Sequence, residues 1–328
     1  MEATRNDMDE TDSTPVDNFS YLQVWNRPGS GFSAFFTHYH DPAERTICFM
    51  RSGDGKTWSH WQRLAAIESG SYQVSAANSQ KLATFFNFHP KEQGLNWRTN
   101  LYYMESPDGG NTWQNIHGET LEVPLTEIDN VALAVEMQSK DELAYLKDLK
   151  FDSNGNPVML YVASHDYHSG PQDPPRSWRI TCWNGKTWVT NSICPTDSNY
   201  DSGELWLKSK DQWLLLAPTT PGPQQFNPGG EVCIWESNDQ GATWRQIRKL
   251  TEGSEMNHSY VRTVLNAHPD MVAIWADGNA REPSHSRLYF ADSDGDVYQM
   301  PQQFPNDHDV FVAPIPHPPG SSNQESSK

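Results

Sequence analysis

The chain has 328 residues and carries 24 Lys+Arg against 42 Asp+Glu, a formal charge of −18, which argues against a nucleic-acid backbone as its partner. Thirteen Trp, 12 Tyr, 13 Phe, 21 Gly and 23 Pro suit strands and tight turns, and they exclude coiled coils and helical bundles. No apolar run approaches the roughly 20 residues that span a bilayer, and the opening MEATRNDMDETDSTP is too polar and acidic for a signal peptide.

Residues 1–17 lack periodicity and are expected to be a disordered tail. From residue 18 onward, alternating apolar runs recur in groups, and each group ends on a similar turn. The first group, 18–66, holds YLQVW, FSAFFTHY and RTICFM and contains Ser52-Gly-Asp-Gly-Lys-Thr-Trp58. The second, 67–122, holds YQVSA, LATFFNF and TNLYYM and contains Ser106-Pro-Asp-Gly-Gly-Asn-Thr-Trp113; an extra segment follows at about 119–142. The third, 143–198, ends on a degraded copy, WNGKTW. The fourth, 199–251, contains Ser237-Asn-Asp-Gln-Gly-Ala-Thr-Trp244, and the fifth, 255–301, contains the weaker SDGDVY. The closing aromatics Trp58, Trp113, Trp188, Trp244 and Tyr298 stand 55, 75, 56 and 54 residues apart. Such a period fits one four-stranded antiparallel sheet per repeat, so the fold class is all-β, a propeller of about five blades over 18–301. Residues 302–328, rich in Pro and Ser, are a second expected tail. The four cysteines lack a C-x-x-C pair and read as buried thiols.

The turn chemistry belongs to a hairpin between the two outer strands of each sheet. Asp accepts backbone N–H bonds, Gly supplies positive φ, and the tryptophan packs where the chain returns. Trp58, Trp113 and Trp244 are therefore expected to be largely buried. The opposite end of each sheet must hold the connection from second to third strand and the entry to the first. Ends of second strands place Tyr39, His89, His165 and Asp277 there; starts of third strands add Arg45, Arg98, Arg176 and Arg287. Entries to inner strands contribute Tyr72, Tyr200, Asp201, Asn257, His258, Tyr260 and Arg262. In a chain of charge −18, a rim of arginines and histidines suits an anionic sugar. Nothing has metal-ligand spacing, so no cofactor is expected, although calcium on loop carboxylates such as Asp201 is compatible with the composition.

The Ser-x-Asp-x-Gly-x-Thr-Trp turns resemble the Asp-box, or BNR, repeat of sialidases and other β-propellers. The runs NFSYLQVW, GSYQVS, FFNFHP, LNWRTNLYY, YLKDLKFD, NHSYVRT and SRLYF further resemble the BNR-4 group, which includes seven-bladed polysaccharide lyases of the ulvan lyase and rhamnosyl-glucuronate lyase type. That resemblance implies β-elimination at a uronic acid in an anionic polysaccharide or oligosaccharide, with Tyr39 as proton donor or base and Arg45 as carboxylate clamp. The rim read from the strand ends adds expected substrate contacts at His89, Arg98, His165, Tyr200, His258, Tyr260 and Arg262. The group's two catalytic histidines lie on blades that would precede residue 18, and Ser71 stands where related sequences carry His. His38 and His40 alternate to the strand face opposite Tyr39. Turnover is therefore expected to be absent or very weak. A non-catalytic glycan-binding propeller is the alternative reading. A sialidase-like hydrolase is the third, and the sequence lacks the Arg-Ile-Pro-like motif which that chemistry requires. The group is commonly secreted or periplasmic, whereas this sequence begins without a signal; a monomer without nucleic-acid or membrane partners is expected. Far-UV circular dichroism should be dominated by strand, and a helical spectrum would contradict this reading.

Overall fold

The computed structural model describes residues 18–39, 42–168, 170 and 176–302. Five four-stranded antiparallel sheets account for all twenty strands found among them. Blade one is β1 (Phe19–Arg27), β2 (Gly31–His38), β3 (Thr46–Ser52) and β4 (Gln62–Ala65). Blade two is β5 (Gln73–Ala77), β6 (Leu82–Phe88), β7 (Thr99–Ser106) and β8 (Leu133–Val135). Blade three is β9 (Leu143–Phe151), β10 (Pro157–Ser164), β11 (Arg176–Trp183) and β12 (Trp188–Thr196). Blade four is β13 (Glu204–Leu207), β14 (Trp213–Thr220), β15 (Glu231–Ser237) and β16 (Arg245–Lys249), and blade five is β17 (Asn257–Thr263), β18 (Ala273–Gly278), β19 (Leu288–Ala291) and β20 (Val297–Gln299). In every sheet the strands neighbour one another in chain order, so the blade count expected from the repeat holds. The residues fall into two compact units, one centred on the first two blades and one on the last two, with the third blade's residues divided between them.

One boundary differs from expectation. The outer strand of blade two is Leu133–Val135, inside the segment read as an insertion, and a 3₁₀ turn at Gln138–Lys140 follows it. After Trp113 the chain first makes a short bridge, Glu105 to Gln114, and a small loop, and only then returns to pair with β7. The expected tails at 1–17 and 303–328 lie outside the described residues.

Each Asp box closes the turn that follows the third strand by a similar set of bonds. Asp54 Oδ1 accepts from the backbone N–H of Lys56 and Thr57, each at 2.8 Å. Asp108 Oδ1 accepts from Thr112 N–H at 2.9 Å while its Oδ2 takes the Thr112 hydroxyl at 2.7 Å, and Asp239 repeats the pair on Thr243 at 2.9 and 2.6 Å. The leading serine completes the motif: Gly55, Gly110 and Gly241 donate N–H to Ser52, Ser106 and Ser237 Oγ at 2.8, 2.7 and 2.8 Å. Gly110 has φ +92°, and a Cβ there would lie 2.1 Å from the Phe49 ring of the preceding blade; at Gly241, φ +84°, it would lie 2.3 Å from Ile180.

The closing tryptophans differ among themselves. Trp113 is 1% exposed, wedged edge-on against Phe35 and Phe49 of blade one, with its Nε1 donating to Gln62 at 2.9 Å. Trp58 and Trp244 are only half-buried, which corrects the expectation that all three are core. Trp244 instead turns its indole N–H onto the Gly241 carbonyl of its own hairpin, 3.1 Å away. The core of the first unit gathers Phe35, Phe49, Phe86, Phe88, Tyr102 and Met104 around Trp113; that of the second gathers Leu214, Val232, Val261, Trp275 and Tyr289. Cys48, Cys194 and Cys233 are buried, Cys182 is half-buried, and none forms a disulfide. Burial pushes the Cys182 thiol up to about 12.

Trp113→Ala should cost about 3–5 kcal/mol in denaturant unfolding as a large-to-small core change, and Trp58→Ala distinctly less. The boxes also set an acid limit. Bonds from Thr57 and Lys56 N–H hold Asp54 below the ordinary aspartate value of 3.8, and those from Thr243 and Ser237 do the same at Asp239. At Asp108, burial pushes upward but the Thr112, Ser106 and Asn111 bonds prevail. Depressed carboxylates stabilise the fold above their unfolded values and lose that contribution as pH falls through the folded ones. Unfolding free energy should therefore drop below about pH 4, with the drop reduced in Asp239→Asn.

Candidate functional site

Antiparallel order puts the end of each second strand and the start of each third at the end of the sheet opposite the Asp box. In the first unit this end collects Tyr39 after β2, Arg45 before β3, Tyr72 before β5, His89 after β6 and Arg98 before β7, with Tyr145 reaching in from β9. The side chains form an alternating stack. The Arg45 guanidinium lies 5.5 Å from the Tyr39 ring and 5.4 Å from the Tyr72 ring; that of Arg98 lies 4.8 Å from Tyr72 and 4.3 Å from Tyr145. The order Tyr39, Arg45, Tyr72, Arg98, Tyr145 lets ring quadrupoles take part of the charge of two half-buried cations. Arg45 also lies 4.0 Å from the exposed Glu44 carboxylate.

Tyr21 approaches Tyr72 edge-on, with centroids 5.0 Å apart. It sits in a β-bulge of β1 at φ 56°, a left-handed conformation that costs a bulky residue about 1–3 kcal/mol. Burial, then the neighbouring Tyr72 and Tyr39 hydroxyls, push Tyr21 up to about 12. The Tyr39 hydroxyl shares a 2.6 Å hydrogen bond with Ser20 Oγ, from the residue next to that bulge.

His89 is fully buried beside Tyr72. Its Nδ1 lies 3.0 Å from the Trp97 carbonyl, which only accepts, so Nδ1 carries the proton and Nε2 holds the lone pair. That Nε2 is buried without a hydrogen-bond partner, as are Ser71 Oγ and Arg45 Nε. Burial first, then the positive charges of Arg98 and Arg45, push the imidazole down to about 3.

The remaining expected residues sit elsewhere. His165 is exposed after β10, its Nδ1 3.1 Å from the Asp141 carbonyl. In the second unit, Tyr200 is 42% exposed in the loop before β13, and Arg176 is buried on Asn199 Oδ1 at 3.1 Å. Tyr260 is 64% exposed at φ 57°, and Arg262, 5.7 Å from the Tyr260 ring, pairs with Glu204 at 3.5 Å. His258 is buried, with Trp275 Nε1 donating to its Nδ1 at 3.0 Å. Asp201, the loop carboxylate considered for calcium, accepts from Gly229 N–H at 2.7 Å and from the Thr196 hydroxyl. His38 packs edge-on against Trp61 at 3.9 Å, and His40 lies outside the described residues. Of the expected set, the structure thus gathers Tyr39, Arg45, Tyr72, His89 and Arg98 into one cluster. Sequence reasoning treated Tyr21 and Tyr145 as ordinary strand residues. The available signal for Tyr21 was the repeated Asn-x-Ser-Tyr of 18–21 and 257–260, whose tyrosines share the left-handed conformation.

A profile of the BNR repeat-containing family matches residues 43–194. The resemblance to that family holds. An ulvan lyase of Nonlabens ulvanivorans is 21% identical over 65% of this chain and 46% of its own length. One from Alteromonas sp. (strain LOR) is 21% identical over 85% of this chain and 59% of its own. The chain thus spans about half the length of these curated relatives. Among solved structures, an ulvan lyase bound to -[GlcA(1-4)Rha3S]- superposes with TM-score 0.67 at 16% identity, covering 84% of this chain and 64% of that one. The Hadza microbial sialidase Hz136 gives 0.54 at 12%, covering 86% and 58%. These likenesses establish the β-propeller fold.

The His89 geometry has a measurable consequence. An imidazole held neutral stabilises the fold fully above the unfolded value near 6.5 and loses that contribution as pH falls from there toward about 3. Unfolding free energy should therefore decline between pH 6.5 and 4, and less so in His89→Gln. By NMR, the His89 ring should stay neutral at pH 5 and titrate higher in Arg98→Met.

Proposed function

We propose that the Tyr39–Arg45–Tyr72–Arg98–Tyr145 cluster binds the carboxylate of a uronic-acid residue in an anionic polysaccharide, making this a carbohydrate-active propeller. The observation that carries the reading is the pair of guanidiniums flanking one tyrosine ring. A uronate carboxylate reaching either guanidinium would gain charge-assisted hydrogen bonds, and the surrounding tyrosines offer faces for sugar C–H groups. The acidic remainder of the chain would repel the same glycan, so specificity rests on these two arginines. The likeness to ulvan lyases, one bound to a glucuronate-containing glycan, supports this ligand class.

Elimination is a second reading, favoured by the Tyr39 hydroxyl being held by Ser20 beside Arg45. With the carboxylate neutralised by Arg45, a base takes the C5 proton, its electron pair forms the C4–C5 double bond, and O4 leaves with a proton from an acid. Tyr39 can serve one end of this transfer. His89 Nε2 has the lone pair for the other, but its burial and the two cations beside it make it a poor base until a carboxylate compensates them. The chemistry therefore lacks an effective second group in the resting site, and general acid–base groups contribute about 10²–10⁴-fold each.

Titration calorimetry with oligoglucuronate should show saturable binding that weakens with added salt, because screening acts over about 8 Å at physiological ionic strength. Arg45→Met and Arg98→Met should each reduce it at least tenfold, as removal of one charge-assisted contact implies, and leave neutral-oligosaccharide binding alone; equal loss of both would overturn the assignment. Unsaturated uronate should form slowly or not at all. Robust formation abolished by Tyr39→Phe would establish the lyase reading, and turnover unaffected by Tyr39→Phe would move the chemistry to other residues.

A further inference from the structure

Within the second unit, a cavity of about 240 Å³ opens between the loop 251–255 and the ends of β18, β19 and β20. Its size is below the roughly 300–1,000 Å³ of drug-sized sites, and it equals about eight waters at roughly 30 Å³ each.

Two sets of hydrogen bonds fix the walls, one running from Trp275 to Glu231 and one centred on Asp277. The indole N–H of Trp275 only donates, so His258 Nδ1 accepts it at 3.0 Å, and Nε2 must carry the proton that it gives to Ser254 Oγ at 2.9 Å. Ser254 then donates its hydroxyl to Glu231 Oε2 at 2.8 Å, beside its own backbone N–H on Oε1 at 2.8 Å and the Thr251 hydroxyl at 2.6 Å. Opposite, the buried carboxylate of Asp277 accepts the Arg287 backbone N–H at 2.6 Å and the Tyr289 hydroxyl at 2.9 Å. Burial, then that bond, push Tyr289 up to about 12, so its phenol stays protonated and donating. The buried polar groups of this wall, His258, Asp277 and Tyr289, thus have their partners before any ligand arrives, which lowers the ordering cost of binding.

The charge balance selects the ligand. Glu252, Glu255 and Asp277 line the cavity, and Glu231 lies behind Ser254. The lining guanidinium, Arg287, is claimed by Glu255 at 2.9 Å, and Glu252 by Lys249. An anion would meet carboxylates with no uncommitted cation. A compact cation would compete with the hydrogen bonds and ion pairs that those acids already make. What the wall offers is further acceptor capacity on buried Asp277 and exposed Glu255, the amide of Gln299, and the Tyr289 and His258 rings, packed edge to face 4.7 Å apart. We propose that this cavity binds one uncharged sugar residue, its hydroxyls donating to Asp277 and Glu255 and its ring seated over Tyr289. This goes beyond the uronate reading, whose ligand is anionic and whose residues are others.

Saturation-transfer NMR and calorimetry on the full chain, with methyl glycosides of glucose, galactose, xylose and rhamnose, test the assignment. Methyl glucuronide and glucosamine serve as anionic and cationic counterparts. At least one neutral glycoside should bind saturably, with affinity insensitive to salt. Asp277→Asn and the peripheral Gln299→Ala should each weaken it about tenfold, with thermal melts confirming that both variants fold. Failure of every neutral glycoside to saturate overturns the proposal, as does unchanged affinity in both folded variants, or tighter binding of the carboxylate or ammonium counterpart. Loss of uronate binding in the Arg45 variant bears on the other site and leaves these outcomes readable.

Discussion

A carboxylate that gathers backbone N–H groups across the outer hairpin of a blade decides which end of the sheet is available for chemistry. With Asp54, Asp108 and Asp239 holding their turns closed, little backbone is left there to meet a ligand. The antiparallel order then sends every connection from second to third strand to the other end, where loops differ in length and content. Tyr39, Arg45, His89 and Arg98 stand within one residue of a strand terminus at that end, so their positions are inherited from the sheets.

Two histidines illustrate how much the immediate neighbours decide. His89 donates from Nδ1 to a backbone carbonyl and keeps a bare lone pair on Nε2; His258 accepts an indole proton at Nδ1 and must donate from Nε2. Both are buried and both are pushed down from the ordinary histidine value, chiefly by burial. Their hydrogen-bonding sense is nevertheless opposite, because one faces an obligate acceptor and the other an obligate donor.

The repeat was legible because its residues act locally. Ser, Asp, Gly and Thr bond within a single hairpin, so spacing alone places the turns and counts the blades. Rim residues at strand ends were legible for a related reason, since they follow from the alternation of runs and turns. What escaped was whatever depends on contact between blades. Trp58, Trp113 and Trp244 look alike in sequence, yet only Trp113 meets Phe35 and Phe49, and nothing in its own eight-residue motif announces them. The outer strand of blade two was missed because three residues, Leu133–Val135, are too short for a periodic signal and pair with β7 only after a detour. Tyr145 belongs to a strand whose pattern is ordinary; its partner Arg98 lies in the preceding blade.

The close approach of Gly110 to Phe49, and of Gly241 to Ile180, bears on how such a chain can grow. Gly110 and Gly241 each occupy a notch that a ring or branched side chain of the preceding blade helps to complete, so such a blade carries one half of two different joints. Duplicating a single repeat would therefore copy a plug and a socket together, and the copy fits if its neighbour in the array keeps the matching shape. Exchange between distant relatives is more demanding: a grafted blade brings a glycine cut for a side chain that its new neighbour does not have. The unit of inheritance in this fold is thus better drawn across a joint, from the third strand of one blade to the box of the next, than around a sheet.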